Sequence, residues 1–291
     1  MIIDNWSLTI VKGCLLSGGD DLTIIDFLLF VMVGCGIGFL SGLFGVGGGI
    51  LIVPVLVFSY EHTVISPTIL THMALGTSLF VVIFGSLMSA YQHNKHRHID
   101  WHAVFVLGFS SALTALVTAR LSEGLSGRFL RMTFALIVLI AGIQMLAENR
   151  IEVENKREAS SKPHTLGLIG VGFTAGIVSA LAGIGGGVFI LPMMHNILKM
   201  PFKLAIGTSS ATVVITALFS LVGYIWNGIG HTDLPPWSMG FVDLRYGTAL
   251  ATGSLLLARA GAYVSFKTHP YYLKKIFALF TILISIYMLA K

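Results

Sequence analysis

Two glycine-rich motifs are the residues of this sequence best suited to hold a ligand against the backbone. They read Gly45-Val46-Gly47-Gly48-Gly49 and Gly183-Ile184-Gly185-Gly186-Gly187. Adjacent glycines end a helix, because each costs about 1 kcal/mol relative to alanine in a helix interior. A helix that begins after such a break presents free N–H groups and its positive dipole end, which favour an anion. We therefore predict anion contacts at Gly47, Gly48, Gly49, Gly185, Gly186 and Gly187.

Hydroxyl side chains follow a single glycine some way after each motif. Thr77 and Ser78 follow Gly76, and Thr208 and Ser209 follow Gly207, midway along long apolar segments. Such hydroxyls could donate to the same ligand or bond carbonyls freed by a second helix break, although many bond only their own backbone. We predict two broken helices in each half and ligand contacts from Thr77, Ser78, Thr208 and Ser209.

Histidines supply the remaining candidates for chemistry. His72 and His195 lie within or near apolar segments, where an ionisable group is expensive and often functional. They are candidates for proton coupling, and a structural, hydrogen-bonded role is the alternative. The other clustered histidines, 93 to 102, have only Asp100 as an acidic neighbour, so no metal site is predicted. The glycine motifs lack the sheet pattern and acidic ribose partner of dinucleotide-binding loops, and no cofactor is expected.

The composition places these residues in a membrane. Of 291 residues, 55% are hydrophobic and 11% are charged, whereas soluble domains carry about 25% charged residues. The net charge of +5 comes from short loops and not from one basic stripe, so nucleic acid is not an expected partner. Eight apolar runs approach or exceed the length of about 20 residues that a spanning helix needs, at 23–44, 67–91, 102–119, 131–147, 165–182, 202–226, 241–264 and 271–290.

The chain repeats itself. A shift of 138 positions places Gly34, Ser41 and Pro54 on Gly172, Ser179 and Pro192 together with the glycine motifs. Shifts of 131 and 143 align two later blocks, Ala74–Ser78 with Ala205–Ser209 and Leu130–Leu136 with Leu273–Leu279. We divide the chain into an N-terminal tail (1–21), a first transmembrane repeat (22–147), a charged cytoplasmic linker (148–164) and a second transmembrane repeat (165–291).

The distribution of Lys and Arg predicts that the repeats are inverted. Loop 92–101 carries Lys95 and Arg97 and is expected to be cytoplasmic, whereas the matching loop 227–240 has neither residue type. Matching loops on opposite sides require an odd number of crossings in each half, so the short segments after the glycine motifs must count. The sequence thus predicts an all-α polytopic membrane protein of about 8–10 helical segments in two inverted repeats, broken at the glycine-rich motifs.

The paired motifs, with Pro54 and Pro192 after the glycines and Ala-x-Gly-Thr-Ser at Ala74 and Ala205, resemble the sulfite exporter TauE/SafE family. The resemblance extends from Leu22 to the C-terminus. It implies movement of sulfite, an organosulfonate or another small sulfur-containing organic anion across the bacterial inner membrane, with the proton gradient as a candidate driving force.

We expect a secondary transporter and not an enzyme, with a midplane anion site reached by alternating access. The expected partners are a small anion and the lipid bilayer, and a homo-oligomer is left open. An anion channel would share the cavity and is an alternative. Gly124-Leu125-Ser126-Gly127 resembles the serine motif of rhomboid-like proteases, but it lies in a polar loop without an evident base histidine, so an intramembrane hydrolase is the weaker alternative.

Overall fold

The computed structural model describes residues 24–61, 66–146, 164–231 and 233–289. The predicted tail and all of the predicted linker except His164 lie outside these residues. Within them the chain forms ten helices and one two-stranded hairpin, and eight of the helices are long and apolar enough to cross a bilayer. The prediction of an all-α polytopic membrane protein is confirmed.

Each half contributes five helices, the number expected from the sequence. The first half contains α1 (Ile24–Phe44), α2 (Gly49–Tyr60), α3 (Pro67–Lys95), α4 (Trp101–Ser122) and α5 (Gly127–Leu146). The second half contains α6 (Thr165–Ala182), α7 (Gly187–Asn196), α8 (Phe202–Gly228), α9 (Leu244–Lys267) and α10 (Pro270–Leu289). Strands β1 (Ser238–Met239) and β2 (Val242–Asp243) pair antiparallel between α8 and α9.

The helices pack according to the repeat. Helix α1 lies along α9, and its equivalent α6 lies along α4, the equivalent of α9. Both contacts depend on glycine, because a Cβ at Gly38 would collide with the backbone of Ser254 and one at Gly176 with the backbone of Ser111. Close backbone approach at small residues is the usual way that membrane helices associate. The halves are therefore joined by two equivalent glycine-lined helix pairs.

Equivalent helices run in opposite directions. Ser89, near the C-terminus of α3, hydrogen-bonds Ser210, near the N-terminus of α8, with 3.0 Å between their Oγ atoms. At the other end of the same pair, Gly76 packs against Tyr224. Helices α5 and α10 are also antiparallel, since Ser285 donates to the Ala135 carbonyl while Gly142 packs on Thr281. The repeats are thus inverted, as predicted.

Helices α3 and α8 are continuous, so the prediction of a second broken helix in each half is wrong. The single glycines Gly76 and Gly207 do not interrupt α3 and α8. A Cβ at Gly76 would collide with the Phe241 carbonyl, and one at Gly207 with the His98 carbonyl. These glycines allow a loop from the opposite half to pack closely against the helix. One glycine alone costs too little free energy to end a long buried helix.

Candidate functional site

The two glycine-rich motifs meet at the centre of the protein. A Cβ at Gly49 would lie 2.5 Å from the Cα of Ile184, and one at Gly187 would lie 2.8 Å from the Cα of Val46. Any side chain at Gly49 or Gly187 would therefore push the two motifs apart. The motifs lie beside the middle of α3 and α8, because Gly47 and Gly185 both face Val82 and Val213.

The two motifs adopt the same backbone conformation. Gly45, Gly47 and Gly48 have φ values of 68°, 82° and 80°, and Gly183, Gly185 and Gly186 have values of 64°, 71° and 79°. This left-handed region costs an L-residue roughly 1–2 kcal/mol, so glycine is required. The first glycine of each motif closes the preceding helix, with Gly45 N–H donating to Ser41 (2.8 Å) and Gly183 N–H to Ser179 (2.9 Å).

Six backbone N–H groups at this centre have no hydrogen-bond partner among the described residues. They belong to residues 46–48 and 184–186, all of which are buried. Helices α2 and α7 start here with Gly48 and Gly186 as N-caps, and neither cap offers a side-chain acceptor. Buried N–H groups without an acceptor are rare, and the positive ends of two helix dipoles add to them. These N–H groups can donate hydrogen bonds to a ligand that carries negative charge.

The two short helices lead from this centre to opposite sides of the membrane. Tyr60, at the end of α2, packs against Tyr246 at the start of α9, with 5.5 Å between ring centroids. His195, near the end of α7, packs against Phe202 at the start of α8. With 12 and 10 residues, α2 and α7 each cover only part of the bilayer thickness. Both helices therefore begin near the middle of the spanning bundle.

Three buried serines adjoin the first motif, and sequence reasoning missed them as site residues. Ser41 on α1, Ser86 on α3 and Ser254 on α9 are at most 1% exposed, and their hydroxyls have no partner among the described residues. The Ser86 Oγ lies 2.6 Å from a Cβ position at Gly47. A Cβ position at Gly85 lies 2.6 Å from Ser254 Oγ and 3.1 Å from Ser41 Oγ. We name Ser41, Ser86 and Ser254 the serine cluster.

The matching positions of the other half are satisfied within the protein. Ser179, the equivalent of Ser41, hydrogen-bonds Ser220 at 2.9 Å. Ser111, the equivalent of Ser254, hydrogen-bonds Thr216 at 2.6 Å, and Ala217 stands at the position equivalent to Ser86. The centre is therefore asymmetric, with unpaired hydroxyls on the side of α1, α3 and α9.

The structure places the predicted threonines at loops and not together. Thr77 Oγ1 accepts the N–H of Asp243 at 2.9 Å, and Thr208 Oγ1 accepts the N–H of Asp100 at 3.0 Å. These two bonds are related by the repeat and lie on opposite sides of the centre. Each one attaches a loop to the middle of the opposite half, so the threonine hydroxyls are already occupied within the protein.

The two aspartates held by these threonines are helix caps. Asp243 accepts the N–H of Arg245 at 2.9 Å at the start of α9, and Asp100 accepts the N–H of Ala103 at 3.1 Å at the start of α4. Burial raises the pKa of the Asp243 carboxyl above its ordinary value, and the hydrogen bond from Arg245 opposes that rise. As N-cap residues, these two aspartates stabilise the N-termini of α9 and α4.

The predicted serines differ from one another. Ser78 Oγ donates to the Gly183 carbonyl at 2.8 Å and so ties α3 to the second glycine motif. Ser209, its repeat equivalent, is fully buried, and its hydroxyl has no partner among the described residues. Ser78 thus shapes the centre, and Ser209 keeps a free hydroxyl.

The two histidines proposed for proton coupling are bonded to backbone carbonyls away from the motifs. His72 Nε2 lies 3.1 Å from the Ser122 carbonyl, and His195 Nδ1 lies 2.8 Å from the Met200 carbonyl. Both side chains are buried. This geometry fits the structural alternative, in which each ring ties a helix end to a neighbouring segment.

The chain is similar in sequence to proteins described as probable membrane transporters. Residues 30–288 match the family described as sulfite exporter TauE/SafE. A probable membrane transporter protein of Haemophilus influenzae is 32% identical over 91% of this chain and 98% of its own length. Relatives of the same description in Methanocaldococcus jannaschii and Bacillus subtilis (YunE) are 28% and 24% identical, each over 84% of this chain and over 89% and 90% of their own lengths. No solved structure matches the chain significantly. The inverted repeats, the doubled glycine motif and these matches together show that the chain belongs to the sulfite exporter TauE/SafE family of membrane transporters.

Proposed function

We propose that this membrane transporter moves a small anion, sulfite or a sulfur-containing organic anion, across the bacterial inner membrane. The observation that carries the proposal is the group of six buried, unpaired N–H groups where the two glycine motifs meet. The oxygens of an oxyanion would accept hydrogen bonds from several of these N–H groups at once. Residues 47–49 and 185–187 carry no side chain, so an anion could approach their backbone closely once neighbours such as Ile37 and Ile184 move aside.

The serine cluster supports an oxyanion more than a halide. Hydroxyls donate single, directed hydrogen bonds, and three of them converge on the side of Gly47 and Gly85. A trigonal or tetrahedral oxyanion offers separate oxygens to the N–H groups and to the hydroxyls. Hydrogen bonds to a charged group are roughly twice as strong as neutral ones, so these groups would contribute much of the affinity.

The narrowness of the centre supports alternating access over an open channel. The cavity beside Gly48 has a volume of about 20 Å³ and is lined by apolar side chains, among them Leu40, Phe44 and Phe277. That space holds little more than one water molecule. An anion that reaches Gly48 from this side therefore requires movement of α1, α2 or α10, and inverted repeats offer equivalent movements on the two sides of the membrane.

Transport by the purified protein in liposomes tests the proposal. With radioactive sulfite outside and unlabelled sulfite inside, we expect saturable uptake that internal unlabelled sulfite accelerates. Acceleration from the opposite side is a property of a carrier, since the emptied site must return. A flux that rises linearly with the external sulfite concentration and does not change with internal sulfite would indicate a channel. A folded protein that moves none of the solutes sulfite, thiosulfate, sulfoacetate and taurine would refute the proposal.

A further inference from the structure

A basic groove lies between the C-terminal end of α3 and the second half of α9. It has a volume of about 540 Å³. Its lining comes from the end of α3 and from α9: Gln92, Lys95, His96, Leu256, Arg259, Ala260 and Tyr263. The described residues that line it include no acidic side chain. Loop 96–100 adjoins this end of α3, on the side that the Lys and Arg distribution assigns to the cytoplasm.

The two cations of this groove lack acidic partners within the described chain. The ion pairs of the described residues lie outside the groove and join Arg131 with Glu61 and His231 with Glu123. Neither pair involves Lys95 or Arg259. Two like charges that share one groove repel each other unless an anion lies between them. The groove is thus complementary to a group of negative charge.

The groove opens toward lipid. Arg259 precedes the end of α9 at Lys267 by eight residues, which is about 12 Å along the helix axis. Leu256 is 63% exposed and Tyr263 is 48% exposed on this surface. The Tyr263 ring also contacts the Lys267 ammonium, 4.6 Å from its centroid. An exposed arginine at this depth extends its side chain toward the interface beside Tyr263, where a lipid headgroup anion would balance its charge.

Gln92 adds a second and independent requirement. Its side chain is only 6% exposed, and its Oε1 atom has no hydrogen-bond partner among the described residues. An amide oxygen accepts hydrogen bonds and does not donate them. A ligand that fits the whole groove therefore carries an anionic group for the two cations and a hydrogen-bond donor for Gln92.

We propose that this groove binds the headgroup of an anionic phospholipid of the cytoplasmic leaflet, with the phosphate between Lys95 and Arg259 and a headgroup hydroxyl donated to Gln92. Phosphatidylglycerol has both groups, and its acyl chains lie along the apolar surface beside Leu256. Basic pockets between membrane helices are a known way of holding such headgroups. This site is separate from the glycine motifs, so it does not depend on which solute is transported.

Native mass spectrometry of the purified protein tests the proposal, with phosphatidylglycerol titrated against phosphatidylcholine of the same acyl chains. We expect phosphatidylglycerol to bind at least about tenfold more tightly, and Lys95→Gln or Arg259→Gln to weaken it about tenfold. Lys199→Gln is the matched control, because Lys199 is an exposed base on the same side of the membrane and outside the groove. Gln92→Leu should reduce the preference for phosphatidylglycerol over phosphatidic acid, which lacks the headgroup hydroxyl.

Three results would overturn the proposal. Equal binding of phosphatidylcholine would show that the groove does not recognise charge. An equal loss of binding with Lys199→Gln would show a general electrostatic effect. Inorganic phosphate that displaces phosphatidylglycerol at similar concentrations would identify a site for a soluble anion and not for a lipid.

Discussion

Removal of one oxygen from Ser41, or from its repeat equivalent Ser179, should separate ligand binding from packing. Both serines lie four residues before the first glycine of a motif and accept its N–H through their carbonyls. They differ in their hydroxyls. The Ser41 hydroxyl has no partner among the described residues, whereas the Ser179 hydroxyl bonds Ser220 at 2.9 Å. Ser41→Ala and Ser179→Ala therefore change the same atom in two different environments.

The expected magnitudes follow from these contacts. If Ser41 donates to a bound oxyanion, its loss removes a hydrogen bond to a charged group, worth about 1.5–3 kcal/mol, or roughly 10- to 150-fold in Kd. Without ligand, Ser41→Ala removes an unpaired buried hydroxyl and should leave stability unchanged or slightly higher. Ser179→Ala leaves the Ser220 hydroxyl without its partner, which should lower the free energy of unfolding by about 1 kcal/mol, within the range for membrane helices.

Titration of sulfite into each purified variant, followed by the shift of its thermal unfolding midpoint, measures both effects. A ligand that binds the folded state raises that midpoint by an amount that grows with the logarithm of its concentration relative to its Kd. We expect Ser41→Ala to keep the midpoint of the free protein and to require at least about tenfold more sulfite for the same shift. Ser179→Ala should unfold earlier and retain the affinity. Equal affinities in Ser41→Ala and the unmodified protein, or an equal loss in both variants, would refute the role of the serine cluster.

Two further predictions concern the glycines and the threonines. Gly48→Val and Gly186→Val should each abolish transport while the protein still reaches the membrane. Valine at φ near 80° is strained, and its Cβ would collide with Ile37 in the first motif and with the Ala175 carbonyl in the second, which displaces the N–H groups. Gly36→Val, at a position with open space, is the control and should transport normally. Thr77→Val and Thr208→Val should each lower the free energy of unfolding by about 1–3 kcal/mol, because a backbone N–H loses its acceptor, and calorimetry with sulfite should show an unchanged Kd.

The architecture could be read from the sequence because its causes are local. The apolar runs fix the spanning helices, the contrast between Lys95 with Arg97 and the uncharged matching loop fixes the inversion, and the doubled motif fixes the breaks. The predicted break beside Thr77 failed for a non-local reason. Gly76 serves the approach of Phe241, which lies far away in the sequence and contacts α3 only in the folded protein.

The candidate site could be read only in part for the same reason. The glycine motifs can be recognised in the sequence by their repeated spacing, and the structure brings residues 47–49 and 185–187 together. The serine cluster is formed by residues of three helices, and no sequence pattern predicts that these helices pack against one another. Ser41 could be seen as a repeat position, but its missing partner could not, because Ser179 and Ser41 look identical in sequence.

The contact between the two motifs has a consequence for how the protein is made. Helix α2 has 12 residues, or about 18 Å of length, and cannot span the bilayer on its own. When the ribosome has delivered only the first half, Ile184 and Val213 do not yet cover the first motif, and unsatisfied backbone exposed to lipid costs several kcal/mol per group. We therefore expect α2 to stay near the membrane surface until α7 is synthesised, and both to enter the bilayer centre together. A chain truncated after α5 would retain an unfinished helix at the interface, which quality-control proteases can recognise.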